Sequence, residues 1–281
     1  MLFLFLSIIF ISCSSDDDIN IYSIDETDNL HLIKTFNTQD YTLELFSTAE
    51  QLIVGYNQIY LRLTDENGNY IEEADMDWKP MMTMNMENME HHHSSPFSEI
   101  KKTKNKQTLF EGYIVFTMPS GENGFWNLEF DLSVGQKNIS FEEEINVIST
   151  ESNYNKVYTS KMGENNTNYI LALVDPMNPE IGTNDIVVVL FESIEDDTFL
   201  IVDDFQIKVD PRMPGMDNHS APGNEDMTQR EDGLYQGKVG FSMSGYWKIN
   251  LILEDESGTV VAGEAVTEDN SESSIHFKLE F

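Results

Sequence analysis

Residues 109–118 read LFEGYIVFTM, and residues 234–243 read LYQGKVGFSM. The two align without a gap: Leu109 falls on Leu234, Gly112 on Gly237, Phe116 on Phe241 and Met118 on Met243. Both are short runs rich in aromatic and apolar residues and closed by loops, which is strand chemistry. Working outward, Phe125-Trp126 corresponds to Tyr246-Trp247, with a longer loop before it in the first copy. Upstream, residues 55–64 keep the register of residues 182–191, and Pro80-x-Met82 corresponds to Pro211-x-Met213. A repeat on this scale is one structural unit used twice.

The rest of the chain agrees. Residues 41–46 (YTLELF) alternate, and in residues 58–64 Ile59, Leu61 and Leu63 face one way and Tyr60 and Arg62 the other. Asp65-Glu66-Asn67-Gly68-Asn69 is a turn leading to a strand near 70–71. Further strands are expected over 125–134 and 137–148, then 169–173, 186–192 (a buried IVVVLFE), 199–202, 205–209, 246–253, 259–262 and 275–281. No segment carries a long helical period. The expected fold is all-β: two tandem β-sandwiches, at 36–152 and 153–281, meeting near Asn153–Asn155. Trp126 and Trp247 are expected to anchor the two cores and are given no chemistry.

Residues 1–12, MLFLFLSIIFIS, form an apolar run that is too short to span a bilayer as a helix and has the length of a signal-peptide core, without the usual preceding Lys or Arg. Cys13, the only cysteine, follows directly between Ser12 and Ser14. This resembles a bacterial lipobox, which implies that Cys13 is lipidated. The Ser14-Ser15-Asp16-Asp17-Asp18 that follows resembles the acidic tract of Bacteroidetes surface lipoproteins. By that resemblance residues 13–35 are an acidic tether, and the address is the cell envelope, lipid-anchored to the outer membrane, with either leaflet open. The chain carries 16 basic against 50 acidic residues, a net charge of −34, which argues against nucleic acid and anionic membrane surfaces as partners.

Two stretches carry candidate chemistry. Residues 75–96 read DMDWKPMMTMNMENMEHHHSSP, and residues 210–227 read DPRMPGMDNHSAPGNEDM. Together they hold nine of the fourteen methionines and four of the six histidines, so composition is concentrated where the repeat places it twice. Thioether and imidazole are the donors that soft Cu(I) selects. The candidate ligands are Met82, Met84, Met86, Met89, His91, His92 and His93 in the first stretch, and Met213, Met216, His219 and Met227 in the second. In an extended Met82–Met86 segment the three alternate methionines share a face about 7 Å apart, so a further donor such as Met89 or a histidine must close the shell. The polar Asn, Glu and Ser around them favour an exposed loop. A buried strand face, with Met filling gaps in a core, is the competing reading. The histidine run also suits Cu(II), Zn(II) or Ni(II), with Asp75, Asp77, Glu87 and Glu90 assisting a hard ion. Met118 and Met243 end apolar strands and are assigned to packing or loop contact. Met162, Met177, His31 and His276 are given no role in binding.

The second half carries a family resemblance. Met213-Pro214-Gly215-Met216, His219, Gly233-Leu234-Tyr235 and Gly245-Tyr246-Trp247 resemble the YtkA-like domain over roughly 182–262. In the first half Trp78-Lys79-Pro80-Met81-Met82 is a more diverged version with a longer metal stretch. The resemblance implies an extracellular immunoglobulin-like sandwich, similar in architecture to periplasmic copper-resistance proteins.

The function expected on this reading is a non-enzymatic copper-binding envelope lipoprotein. It would sequester copper, as Cu(I) or as Cu(II) at the histidines, or hand it to a protein partner. The alternative is a surface-displayed interaction module whose Met-rich loops recognise a protein without metal. No serine–histidine–acid set, phosphate loop, HExxH or paired-carboxylate cleft suggests an enzyme.

Overall fold

The computed structural model describes residues 25–86, 89–150, 158–162, 166–195 and 197–281. The signal segment, Cys13, Glu87 and the expected boundary at Asn153–Asn155 lie outside them.

The period-two alternation of residues 55–65 becomes a strand in which every second residue is buried. In chain order the first sandwich runs β1 (His31–Asn37), β2 (Tyr41–Ser47), β3 (Leu52–Ile53), β4 (Gly55–Asp65), β5 (Asp75–Met86), β6 (Met89–Ser94), β7 (Lys101–Lys102), β8 (Leu109–Phe116), β9 (Gly124–Val134), β10 (Lys137–Ile145) and β11 (Val147–Ile148). One sheet has the order β1-β2-β4-β8-β7 and the facing sheet β10-β9-β5-β6. Leu43, Leu45, Ile59, Leu61 and Phe116 from the first meet Trp78, Trp126, Leu128 and Phe130 from the second in one core.

The second sandwich runs β12 (Tyr158–Met162), β13 (Asn168–Asp175), β14 (Gly182–Glu195), β15 (Thr198–Ile201), β16 (Gln206–Met213), a 3-10 turn at Pro214–Met216, β17 (His219–Ser220), β18 (Glu225–Gln229), β19 (Tyr235–Phe241), β20 (Tyr246–Glu254), β21 (Val260–Ala262) and β22 (His276–Glu280). The repeat holds across the main strands. The order β12-β13-β14-β19-β18 reproduces β1-β2-β4-β8-β7, and β22-β20-β16-β17 reproduces β10-β9-β5-β6. The β3–β11 pair is particular to the first copy and β15 and β21 to the second. The copies also differ at one edge. In the second, β18 bonds both β19 and β16 and joins the two sheets, whereas the two-residue β7 bonds β8.

A small device repeats at the start of β4 and β14. Gly55 and Gly182 sit at φ 115° and 116°, a region open to glycine. Two residues on, Asn57 accepts from the Ile53 amide at 2.9 Å and donates to the Ile53 and Gly55 carbonyls. Asn184 does the same with Glu180 and Gly182. The asparagine satisfies the backbone of the bend where no ladder can.

Three expectations are corrected. The acidic tether does not extend to residue 35: the Glu26 carboxylate accepts from the amides of Gln107 and Thr108, and β1 buries Phe36 in the core. Residues 70–71 form a single bridge, Thr64 to Tyr70, and no strand. The first Met/His stretch is no loop, because 75–86 and 89–94 form a β-hairpin inside the second sheet.

The run IVVVLF of β14 is continuous because both of its faces are covered. Ile186, Val188 and Leu190 enter the core of the second sandwich, while Val189 and Phe191 join Ile170 and Ala172 against Val115 of the first. Tyr56 and Tyr113 flank this interface, Tyr113 with its ring centroid 6.5 Å from that of Phe191. The tip between β14 and β15 adds an ion pair, Asp197 to Lys79 at 2.8 Å. Burial pushes the Tyr113 hydroxyl up to about 12, and pushes Tyr56 up further. Both phenols are therefore held neutral. Their contribution is complete below the ordinary tyrosine value near 10 and is lost as pH rises toward about 12. Tyr235, inside the second core, is also raised to about 12 by burial. The interface share is thus read as a difference: between pH 9 and 11.5 the urea midpoint is expected to fall less in Tyr113→Phe than in the unaltered chain. Equal falls would show that the interface phenol stays accessible to hydroxide.

Candidate metal centre

Strand alternation and hairpin register decide which donors can meet. Directly opposed residues on paired antiparallel strands project from the same face. In the β5–β6 hairpin the opposed pairs are Met82 with His93, Thr83 with His92, Met84 with His91, and Met86 with Met89. Met82, Met84, His91 and His93 therefore share one face. It is the core-facing one, since across β9 Met82 opposes Trp126 and Met84 opposes Gly124.

Along this face the donors run from core to solvent. Met82 is 2% exposed and packs in the core. Met84 is half-buried against the same cluster. His93 is half-buried, its ring edge-on to the Trp126 indole with centroids 5.8 Å apart. His91 is exposed, and Met89 is 62% exposed. The glycine at 124 makes the packing possible. A Cβ there would stand 2.7 Å from the Met82 methyl and 3.2 Å from Met84 Cγ.

His92 is turned to the other face. Its Nδ1 lies 3.1 Å from Thr83 Oγ1, and its Nε2 3.0 Å from Glu90 Oε1. The run 91–93 thus cannot act as one three-imidazole ligand, because a strand sends its middle residue away from its neighbours. Among the described residues, hard-ion assistance by carboxylates does not form either. Glu90 is bound to His92, and Asp75 and Asp77 lie at the far end of β5, on a cleft with Glu72 and Glu73. Among the described residues no three His, Cys, Asp or Glu side chains are grouped to hold a metal ion. The donor set is one of thioethers with imidazole.

The second copy is a shorter version. Met213 opposes His219 across the β16–β17 turn. The turn is the 3-10 segment Pro214–Met216, then Asp217 and Asn218, both left-handed at φ 55° and 58°. Asn218 fixes it by donating to the Ser271 carbonyl at 2.9 Å. Met213 is 5% exposed, its methyl 3.2 Å from where a Cβ on Gly245 would lie. Met216 is 53% exposed and His219 is exposed. Met227 does not return to this group. It sits on β18, fully buried in the core cluster, where its Cγ occupies the space that a side chain at Gly237 would need.

Each indole is tied to a methionine that the sequence reading left aside. Trp126 Nε1 donates to the Met118 carbonyl at 2.9 Å, and Trp247 Nε1 to the Met243 carbonyl at 3.0 Å. Both clusters stand at the same end of their sandwiches, where Gly55 pairs with Phe116 and Gly182 with Phe241. The two ends lie near each other, for Ile53, two residues before Gly55, packs against the second core, as does Phe281, whose carbonyl accepts from the Gly245 amide.

The family model described as YtkA-like matches residues 163–251. No curated protein matches the chain. A solved structure of FdeC, an Escherichia coli adhesin described as broadly conserved and as eliciting protection against urinary tract infections, aligns with 88% of this chain at 12% identity and a TM-score of 0.25. The alignment spans 65% of that structure's own length. The YtkA-like match lies within the second sandwich, and the first sandwich repeats the strand order of the second.

Proposed function

We propose that this chain is a non-enzymatic copper-binding protein of the cell envelope, which takes up Cu(I) at the end of each sandwich and sequesters it or passes it to a protein partner. One observation carries the reading: in both copies a methionine on the long strand stands directly opposite a histidine across a hairpin, at the same end of the fold. A buried thioether beside an imidazole suits a soft monovalent ion and offers little to Mg, Ca or a hard divalent site. Thioethers also survive where thiolates would be oxidised, short of conversion to sulfoxides. The inner donor of each pair is fixed by packing, and Met89, His91, Met216 and His219 are exposed, so the outer donors can meet a partner. The −34 net charge raises the local concentration of cations. Lipidation at Cys13 and display at the outer membrane belong to the same proposal.

The test is titration with Cu(I) in competition with a chromogenic Cu(I) chelator, with Zn(II) beside it. Two equivalents of Cu(I) retained against the chelator and weak Zn(II) binding are expected. Affinity should fall as acid protonates the imidazoles. Failure to compete, with no thermal shift on adding copper, would overturn the reading and leave metal-free protein recognition by the exposed methionines in its place.

A further inference from the structure

We infer that Met118 and Met243 supply the third donor of the two sites. The inference rests on the copper reading above and specifies its ligand shell. Comparing the two copies separates what the architecture keeps from what one copy adds. Met84, Met89 and His91 have no equivalent in the second copy, where β17 is two residues long. Met216 stands in a turn with no counterpart on the β5–β6 hairpin. Four features occur in both: the strand methionine (Met82, Met213), the opposed histidine (His93, His219), the buried tryptophan (Trp126, Trp247), and the methionine that ends the preceding strand (Met118, Met243).

In the first copy these features meet at one indole, and in the second the indole holds the Met243 backbone. In the first copy Met82 is the register partner of Trp126, the His93 ring stands edge-on to it, and its Nε1–H is held by the Met118 carbonyl. In the second copy the segment between Met243 and Trp247 is short. The Met213 methyl lies against Gly245, two residues after Met243, and Met243 is fixed at the edge of the ring by Trp247 Nε1. The two glycines matter here. Without a Cβ at 124 or 245 the strand methionine lies over the turn, towards the segment that begins with the other methionine. On this inference two thioethers and one imidazole complete a soft three-donor set at each site, which a Met–His pair alone does not provide. Met243 is 37% exposed and Met118 half-buried, so neither side chain is wholly committed to the core.

The experiment uses the full chain with Met243→Leu, Met118→Leu and the double variant. Three quantities are read: Cu(I) affinity by chelator competition, the number of sulfur neighbours per copper by X-ray absorption, and the urea midpoint. Leucine keeps volume and apolar character while removing the sulfur, so the midpoint is expected to hold. Loss of groups behind a ligand already weakens metal sites by about 10–100-fold, and loss of a ligand should weaken one site at least that much. Met243→Leu should leave one tight and one weakened site, and the double variant two weakened sites, each with one sulfur neighbour fewer. Met243→Leu is the decisive arm because that side chain is the more exposed. Unaltered chain that binds copper, with a Met243→Leu variant of equal affinity and equal sulfur count, would overturn the inference and leave the proposed function standing. Unaltered chain that fails to bind would remove both.

Discussion

Replacing Trp247 with alanine is expected to cost the second sandwich about 3–5 kcal/mol. The indole has no exposed surface and packs on Phe241 at a centroid distance of 5.4 Å. It stands on β20, which pairs with β16 on one side and β22 on the other, so it is held at the centre of a sheet. Alanine removes the contacts and leaves a cavity that paired strands cannot close. It also takes the hydrogen from the Met243 carbonyl, a loss of about 1 kcal/mol if that group then finds no other donor. Trp247→Phe keeps most of the ring and gives up the hydrogen bond, and should fall between alanine and the unaltered chain. Urea denaturation followed by circular dichroism measures both. Trp126→Ala should act on the same scale in the first sandwich, where the indole packs on Phe116 at 5.1 Å. A loss below about 1 kcal/mol at Trp247 would mean that the indole is no core anchor, since such small effects are typical of surface positions.

The anchors were legible because the repeat marks them. Two aligned strands of the same apolar pattern, each followed by an aromatic-Trp pair, imply two copies of one sandwich whatever the loops do. Alternation in residues 55–65 gave the buried set of β4 directly. The interface was written less openly: IVVVLF reads as a buried strand, but the pattern cannot say that Val189 and Phe191 are covered by a second domain. β1 is hard to read because HLIKTFN buries only Phe36 fully and breaks its alternation with a register shift between Leu32 and Lys34.

At the site, residue types were readable and pairings were not. Met82, Met84 and Met86 alternate as a strand should, yet polar neighbours argued for a loop. Asn85 and Glu90 are exposed on an edge hairpin, while Thr83, Ser94 and Ser95 are buried with hydrogen-bond partners, so polar composition alone could not separate strand from loop. Counting histidines could not show that His92 faces Thr83 and Glu90, because a face is defined only once register is known. Met227 is near Met216 in sequence and distant from it in role, because β18 carries it into the core. The signal that could have found Met118 and Met243 was present in the opening alignment, where they occupy the same column ahead of the tryptophan. It was discounted because a methionine ending an apolar strand is common packing material.

Removing the second site altogether should halve the copper capacity. In a chain carrying Met213→Leu, Met216→Leu and His219→Ser together, Cu(I) bound against the chelator is expected to drop from two equivalents to one. The remaining equivalent should keep its affinity, because its proposed donors lie on β5, β6 and just past β8, all in the first copy. Stability should change by less than about 1.5 kcal/mol, since only Met213 is buried and leucine conserves its volume. His219 and Met216 are exposed at a turn held by Asn218, which the variant leaves intact. This combination separates ligand loss from fold loss. A folded triple variant that still binds two Cu(I) would show that the second Met/His turn is not a copper site. An unaltered chain that binds one Cu(I), with a triple variant that binds none, would show that the two copies share a single ion. That arrangement is hard to reconcile with two clusters that lie in separate sandwiches.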